Sequence, residues 1–125
     1  MDSNPKTQYG LAKPGLSNVP PVPIFAIGEV MAAGAAKYGP MNWRKDSVSA
    51  STYYDAAMRH LMAWWDGQDC DPETKLQHLA HAAANLCILM DAHSGVWLRD
   101  DRPLAGYTPD YISDNTRELK GTASS

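Results

Sequence analysis

The stretch Asp71-Pro-Glu-Thr-Lys-Leu-Gln-His78-Leu-Ala-His81-Ala-Ala-Ala-Asn85-Leu-Cys-Ile-Leu-Met90 carries a polar stripe through apolar surroundings. At about 3.6 residues per turn, Thr74, His78, His81 and Asn85 fall on one side of a helix, and Leu79, Ala82, Ala83, Leu86 and Met90 cover much of the rest. Imidazoles and amides in an apolar setting are costly unless they are hydrogen-bonded, bind a ligand or hold a metal. This helix is therefore expected to line a site.

Length and composition admit one globular domain: 125 residues, 44% hydrophobic and 20% charged. A net charge of −3 does not supply the positive surface that long nucleic acid requires to replace its counterions, whereas a few local Lys and Arg suffice for a small anion. Cys70 and Cys87 are the only cysteines, too few for a disulfide framework, which points to a reducing cytoplasm. The opening residues have no apolar signal core, and no segment has the apolar length to span a bilayer.

Residues 1–23 hold Pro5, Pro14, Pro20, Pro21 and Pro23 and read as a proline-rich arm laid over the domain. Residues 24–95 read as the helical ligand-binding domain. Its first helix, Pro23 to Lys37, carries Ile24, Ile27, Val30, Met31 and Ala35 and stops at Gly39-Pro40. Gly28 and Gly34 weaken that helix and suit close helix packing. Ser51 or Thr52 caps a second helix, Tyr53 to Asp66, in which Asp55 is placed to pair with Arg59. Asp71 caps the third, with Pro72 at its first position, and that helix runs to Ala92. Residues 96–125 read as an irregular polar tail, and no alternating strand pattern appears. The expected fold is an all-α bundle of three main helices. Such a bundle has a thin core, so a homodimer or homotetramer is expected.

The ordered series Lys13-Pro14, Gly34-Ala-Ala-Lys37-Tyr38-Gly39, Asn42-Trp43-Arg44, Arg59-His60-Leu61, Trp64, Gly67, Asp71-Pro72-Glu73 and His78-Leu79-Ala80-His81-Ala82 with Asn85 resembles one family across residues 8–95. It is similar to the N-terminal domain of dATP/dGTP diphosphohydrolases of phages and bacteria, related to MazG-like nucleotide pyrophosphatases. The resemblance implies an all-helical architecture, purine deoxynucleoside triphosphates as substrates, and hydrolysis to monophosphate and pyrophosphate with a divalent ion, Mg²⁺ or Mn²⁺. MazG-like enzymes hold their metal with carboxylate pairs, Glu-x-x-Glu and Glu-x-x-Asp. Here His78-x-x-His81 stands where the second pair falls, Arg59-His60 lies near the first, and Gln68 replaces a Glu found in many relatives.

His78 and His81 are candidate catalytic groups and, with Glu29 or joined by His60, candidate ligands for a metal such as Zn²⁺, Mn²⁺ or Fe²⁺; the alternative is a hydrogen-bonded network between helices. Asp71, in a turn crowded with Asp66, Asp69 and Glu73, joins the catalytic candidates. Lys37, Arg44 and Arg59 are candidate phosphate contacts, because a guanidinium presents a planar fork and an ammonium a mobile charge. Tyr38, Trp43 and Trp64 are candidate stacking partners for a base, and Asn42, His60 and Asn85 complete the ligand-binding set. Asp101-Arg102-Pro103 either folds back over the pocket, meets a neighbouring subunit or stays solvated. Besides hydrolysis, two other readings stand: a phage sponge that sequesters a nucleotide-derived immune signal, for which tight uniform binding suffices, and a domain fused to a catalytic partner.

Overall fold

Helix α4 (His78–Ser94) is the axis of the molecule, with α3 (Ala50–Trp65) packed along one side and α2 (Pro21–Tyr38) along another. The computed structural model describes residues 3–118. The remaining elements are α1 (Pro5–Leu11), a 3-10 turn at Asn42–Arg44, two short strands, β1 (Val48–Ser49) and β2 (Leu98–Arg99), and α5 (Thr108–Asp114). The fold is thus mostly helical, as expected, with a two-stranded addition.

Alanine lets the helices approach one another. Ala57 of α3 and Ala80, Ala82, Ala84 and Ala92 of α4 are all buried, and the buried positions point in several directions around α4, as they must in a helix covered on more than one side. At one end Trp43, Val48 and Ala92 form a small core, against which Met31, Tyr53, Ile88, Trp97 and Leu98 pack. That core is thin: its largest members, Trp43 and Val48, each keep 8% of their surface exposed. Val22, Phe25, Trp65, Leu86 and Met90 remain largely in solvent. No helix among the described residues is long and apolar enough to cross a membrane.

The strands pair in parallel, Val48 with Leu98 and Ser49 with Arg99, and α3 and α4 supply the long crossover that parallel pairing requires. The pairing brings the segment after α4 back to the start of α3. There the Asp101 carboxylate accepts the Ser51 amide at 2.9 Å and the Ser51 hydroxyl. An acid from the far end of the chain thus caps α3, favourably placed against the positive end of the helix dipole. Residues 96–118 thus add β2 and α5 to a segment expected to be irregular, and α1 falls within the proline-rich arm.

Helix α4 begins at His78, not at Asp71. Asp71 does cap, its Oδ1 accepting the amides of Glu73 at 2.8 Å and Thr74 at 3.0 Å, but what it caps is a turn. Lys75 at φ 65 takes the chain out of the helical region. A bridge between Cys70 and Gln77 and the bond from His78 N to Asp69 O then close residues 69–78 into a tight loop.

The two glycines read as packing contacts have no such role, since a Cβ on Gly28 or Gly34 would meet nothing within 4 Å. Gly28→Ala should raise stability by about 0.5–1 kcal/mol through its helix propensity. Gly39 sits at φ 91, ψ 149, a region essentially reserved for glycine, so Gly39→Ala should lower stability by about 1–3 kcal/mol despite equally open space. Urea midpoints moving in the same direction for both variants would refute this.

Candidate functional site

The C-terminal half of α2 ends in Lys37-Tyr38, turns sharply at Gly39, and enters the 3-10 turn through Met41 in the left-handed region. This reversal holds the chain away from α4 and leaves a cavity of about 260 Å³ between them. Val30, Met31, Tyr53, Ala84 and Ile88 supply apolar wall, and Lys37, Tyr38, Asn42, Thr74, His81 and Asn85 supply polar groups. Trp43 also lines it while belonging to the core. The Lys37 ammonium lies 5.2 Å from the Tyr38 ring centre, and hydrogen bonding and attraction to Tyr38, followed by attraction to Glu73, raise its pKa. Asn85 donates to the His81 carbonyl at 3.0 Å, which orients its amide at the wall.

Behind His81 lies a histidine cluster assembled by α3, α4 and the loop between them. His60 of α3 stacks on His81, ring centres 4.5 Å apart and planes 8° from parallel. His60 Nδ1 and His78 Nδ1 are 2.8 Å apart, His78 Nε2 is 2.6 Å from Gln68 Oε1, and His81 Nε2 is 2.7 Å from Thr74 Oγ1. Burial, then the neighbouring His81 and His78, lower the His60 pKa and favour its neutral form. Asp71 is shifted down, first by the amide of Thr74, and stays ionised. His60, Asp71 and His78 each bring one donor atom, all within 4.8 Å of one another. Two imidazoles and a carboxylate suit a transition-series divalent ion; Mg²⁺ prefers an oxygen shell and fits this set poorly.

The other sequence candidates are dispersed. His78 is 4% exposed, so it serves the cluster from within and does not line the cavity. Glu29 borders a different depression with Phe25, Lys75 and Gln77 and is not in the histidine cluster. Trp64 lies against Trp65 on an exposed groove of α3, and Arg59 is exposed and does not line the cavity. The expected Asp55–Arg59 pair is not among the salt bridges of the described residues.

Arg44 binds Asp91 through two bonds, Nε to Oδ2 at 2.9 Å and Nη2 to Oδ1 at 2.7 Å, and lies 4.9 Å from the Trp97 ring centre. Trp43 Nε1 donates to the same carboxylate at 2.7 Å. This fork latches the cavity's turn to α4, and it occupies the guanidinium expected to meet phosphate. Hydrogen bonds from Arg44 and Trp43 hold the Asp91 pKa at about 2. A folded-state pKa below the unfolded value gives stability that is present above about pH 4 and lost as pH falls towards 2. Asp91→Asn should flatten that acid limb, and an acid-unfolding curve identical to the parent's would contradict the latch.

Asp91 is a functional neighbour that the sequence reading did not name. Asp91 had a visible signal, a lone acid in the apolar run Ile88-Leu89-Met90-Asp91-Ala92.

The sequence model of the family described as dATP/dGTP diphosphohydrolase, N-terminal, matches residues 3–102. The chain belongs to that family. Its match takes in the cavity, the histidine cluster and the Asp91 latch together. The chain is also 32% identical, over 96 residues, to a dATP/dGTP diphosphohydrolase of Salmonella phage PMBT28. That alignment covers 77% of this chain and 30% of the phage protein, so the family domain seen here spans less than a third of that relative's length. No solved structure matches the chain.

Proposed function

We propose that this chain binds a purine deoxynucleoside triphosphate in the cavity between α2 and α4 and hydrolyses it to the monophosphate and pyrophosphate. The observation that carries this reading is the convergence on one space of a cation, an exposed aromatic, two amides and an imidazole: Lys37, Tyr38, Asn42, Asn85 and His81. A volume of about 260 Å³ is near the lower end of small-molecule sites, about 300–1,000 Å³, and suits a base with its phosphates leading out of the mouth. The phage relative, a dATP/dGTP diphosphohydrolase, supports the substrate class.

In this reading Tyr38 stacks on the base, Asn42 and Asn85 meet its polar edge, and Lys37 neutralises phosphate charge. Water attacks the α-phosphorus, the bond from that phosphorus to the α–β bridging oxygen breaks, and pyrophosphate leaves. His81 takes the water's proton on Nδ1, since its Nε2 faces Thr74. A divalent ion held by His60, Asp71 and His78 would supply positive charge behind His81. The exposed apolar side chains of α2 and α4 support assembly as a homodimer or homotetramer.

One observation favours the sponge reading: among the described residues, no Asp or Glu lines the cavity. The deciding experiment incubates the protein with dATP, dGTP, other purine nucleotides and cyclic or ADP-ribose-type signals, with Mg²⁺, Mn²⁺ or chelator, then analyses the products by chromatography after heat denaturation. Metal-dependent monophosphate and pyrophosphate establish hydrolysis. Depletion of an intact compound, recovered on heating, establishes sequestration. Neither result would overturn both readings and leave a domain that works only with a partner.

A further inference from the structure

We infer that His60, Asp71 and His78 form a binding site for one transition-series divalent ion of the Zn²⁺ or Co²⁺ type, coordinated through the two Nδ1 atoms and the Asp71 carboxylate. The inference is independent of the nucleotide reading, because the metal alone is its probe.

The argument starts with protons. A Gln68 carbonyl oxygen can only accept, so its 2.6 Å contact places the His78 proton on Nε2 and leaves a lone pair on Nδ1. That lone pair points at His60 Nδ1, 2.8 Å away. Without metal, His60 donates its Nδ1 proton across this gap. With metal, the same two nitrogens become neighbouring ligands and the His60 proton moves to its Nε2, so that the ring binds as a neutral imidazole. Zn–N bonds of about 2.0–2.1 Å put two nitrogens of a tetrahedral ion about 3.4 Å apart. The pair therefore has to open by only about 0.6 Å, within reach of small side-chain rotations.

The remaining parts are already in place. The amides of Glu73 and Thr74 fix the Asp71 carboxylate, the stacked His81 ring fixes His60, and Gln68 fixes His78. Metal ligands are characteristically oriented by such outer partners. The break at Lys75 contributes too, because a helix running straight through from Asp71 would not make the loop that returns Asp71 to the histidine pair. Three protein ligands leave a fourth position for water or substrate, the arrangement of a reactive site, and His81 beside it lines the cavity.

The test uses the chelator-treated 125-residue chain titrated with Zn²⁺ or Co²⁺ alone. One ion per chain after dialysis is expected, with visible Co²⁺ d–d bands that persist in a large excess of Mg²⁺. His60→Gln and Asp71→Asn should each weaken retention at least about 10-fold, and Gln68→Ala, which removes only the outer partner, by about 10–100-fold. In the unaltered protein, Zn²⁺ should move the ¹⁵N resonances of His60 and His78 Nδ1 and leave those of His93 in place, a readout that does not depend on a variant folding. Absence of a retained ion, unmoved His60 and His78 resonances, or folded variants that hold the ion as tightly as the parent would each overturn the site.

Discussion

Trp43→Ala is expected to remove about 3–5 kcal/mol of folding stability, the usual range for truncating a buried aromatic. That is a large share of the roughly 5–15 kcal/mol available to a domain, and here the loss falls on a core with few other large members. The indole does three things at once. It fills the space beside Val48 and Ala92, forms part of the cavity wall, and donates from Nε1 to the carboxylate that also holds Arg44. Trp43→Phe separates these contributions, because it keeps most of the apolar contact and gives up the hydrogen bond, for an expected loss of about 1 kcal/mol. Urea unfolding followed by far-UV circular dichroism measures both. A Trp43→Ala midpoint equal to that of the parent would mean that the residue is peripheral to the core.

The difference between Trp43 as a base-stacking candidate and Trp43 as a core residue shows what the sequence can convey. Its neighbours Tyr38, Asn42 and Lys37 were legible as a cluster because one short turn carries them all. The role of Trp43 and Arg44 was not, because the partner that decides it, Asp91, is 48 and 47 positions away on another helix. Helix α2 was legible at both ends, where proline starts it and Gly39 stops it. The start of α4 was misplaced because Asp-Pro with a downstream amide run is the opening of a turn as much as of a helix. The choice was made by Lys75 and by the pairing of Cys70 with Gln77, neither of which leaves a periodic trace. The polar stripe does come together in space, Thr74 meeting His81 at 2.7 Å and both His78 and His81 lying against His60. His60 was legible as a companion of His78 and His81, whereas the contact of Gln68 with His78 depends on the loop between α3 and α4.

His81→Ala is expected to spare the fold and damage the site. His81 is only partly buried, and its side chain is tied to the exposed Thr74 and stacked on His60, so its removal leaves no uncompensated charge and no large void. Loss of one ordinary hydrogen bond at the cavity wall corresponds to about 0.5–1.5 kcal/mol, or about 2–12-fold in nucleotide affinity. If His81 also takes the water's proton, turnover should fall by about 10²–10⁴-fold at saturating substrate. Lys37→Ala supplies the contrast. A point charge on phosphate contributes binding more than proton transfer, so affinity should weaken and lose part of its salt dependence, with a smaller change in kcat. Equilibrium binding of dATP and dGTP at two ionic strengths, with single-turnover hydrolysis of the same variants, separates the two roles. Both variants should keep the parent's helical signal. A His81→Ala protein that unfolds readily yet binds and turns over like the parent in its folded fraction would assign the imidazole to scaffolding and move the chemistry elsewhere in the chain.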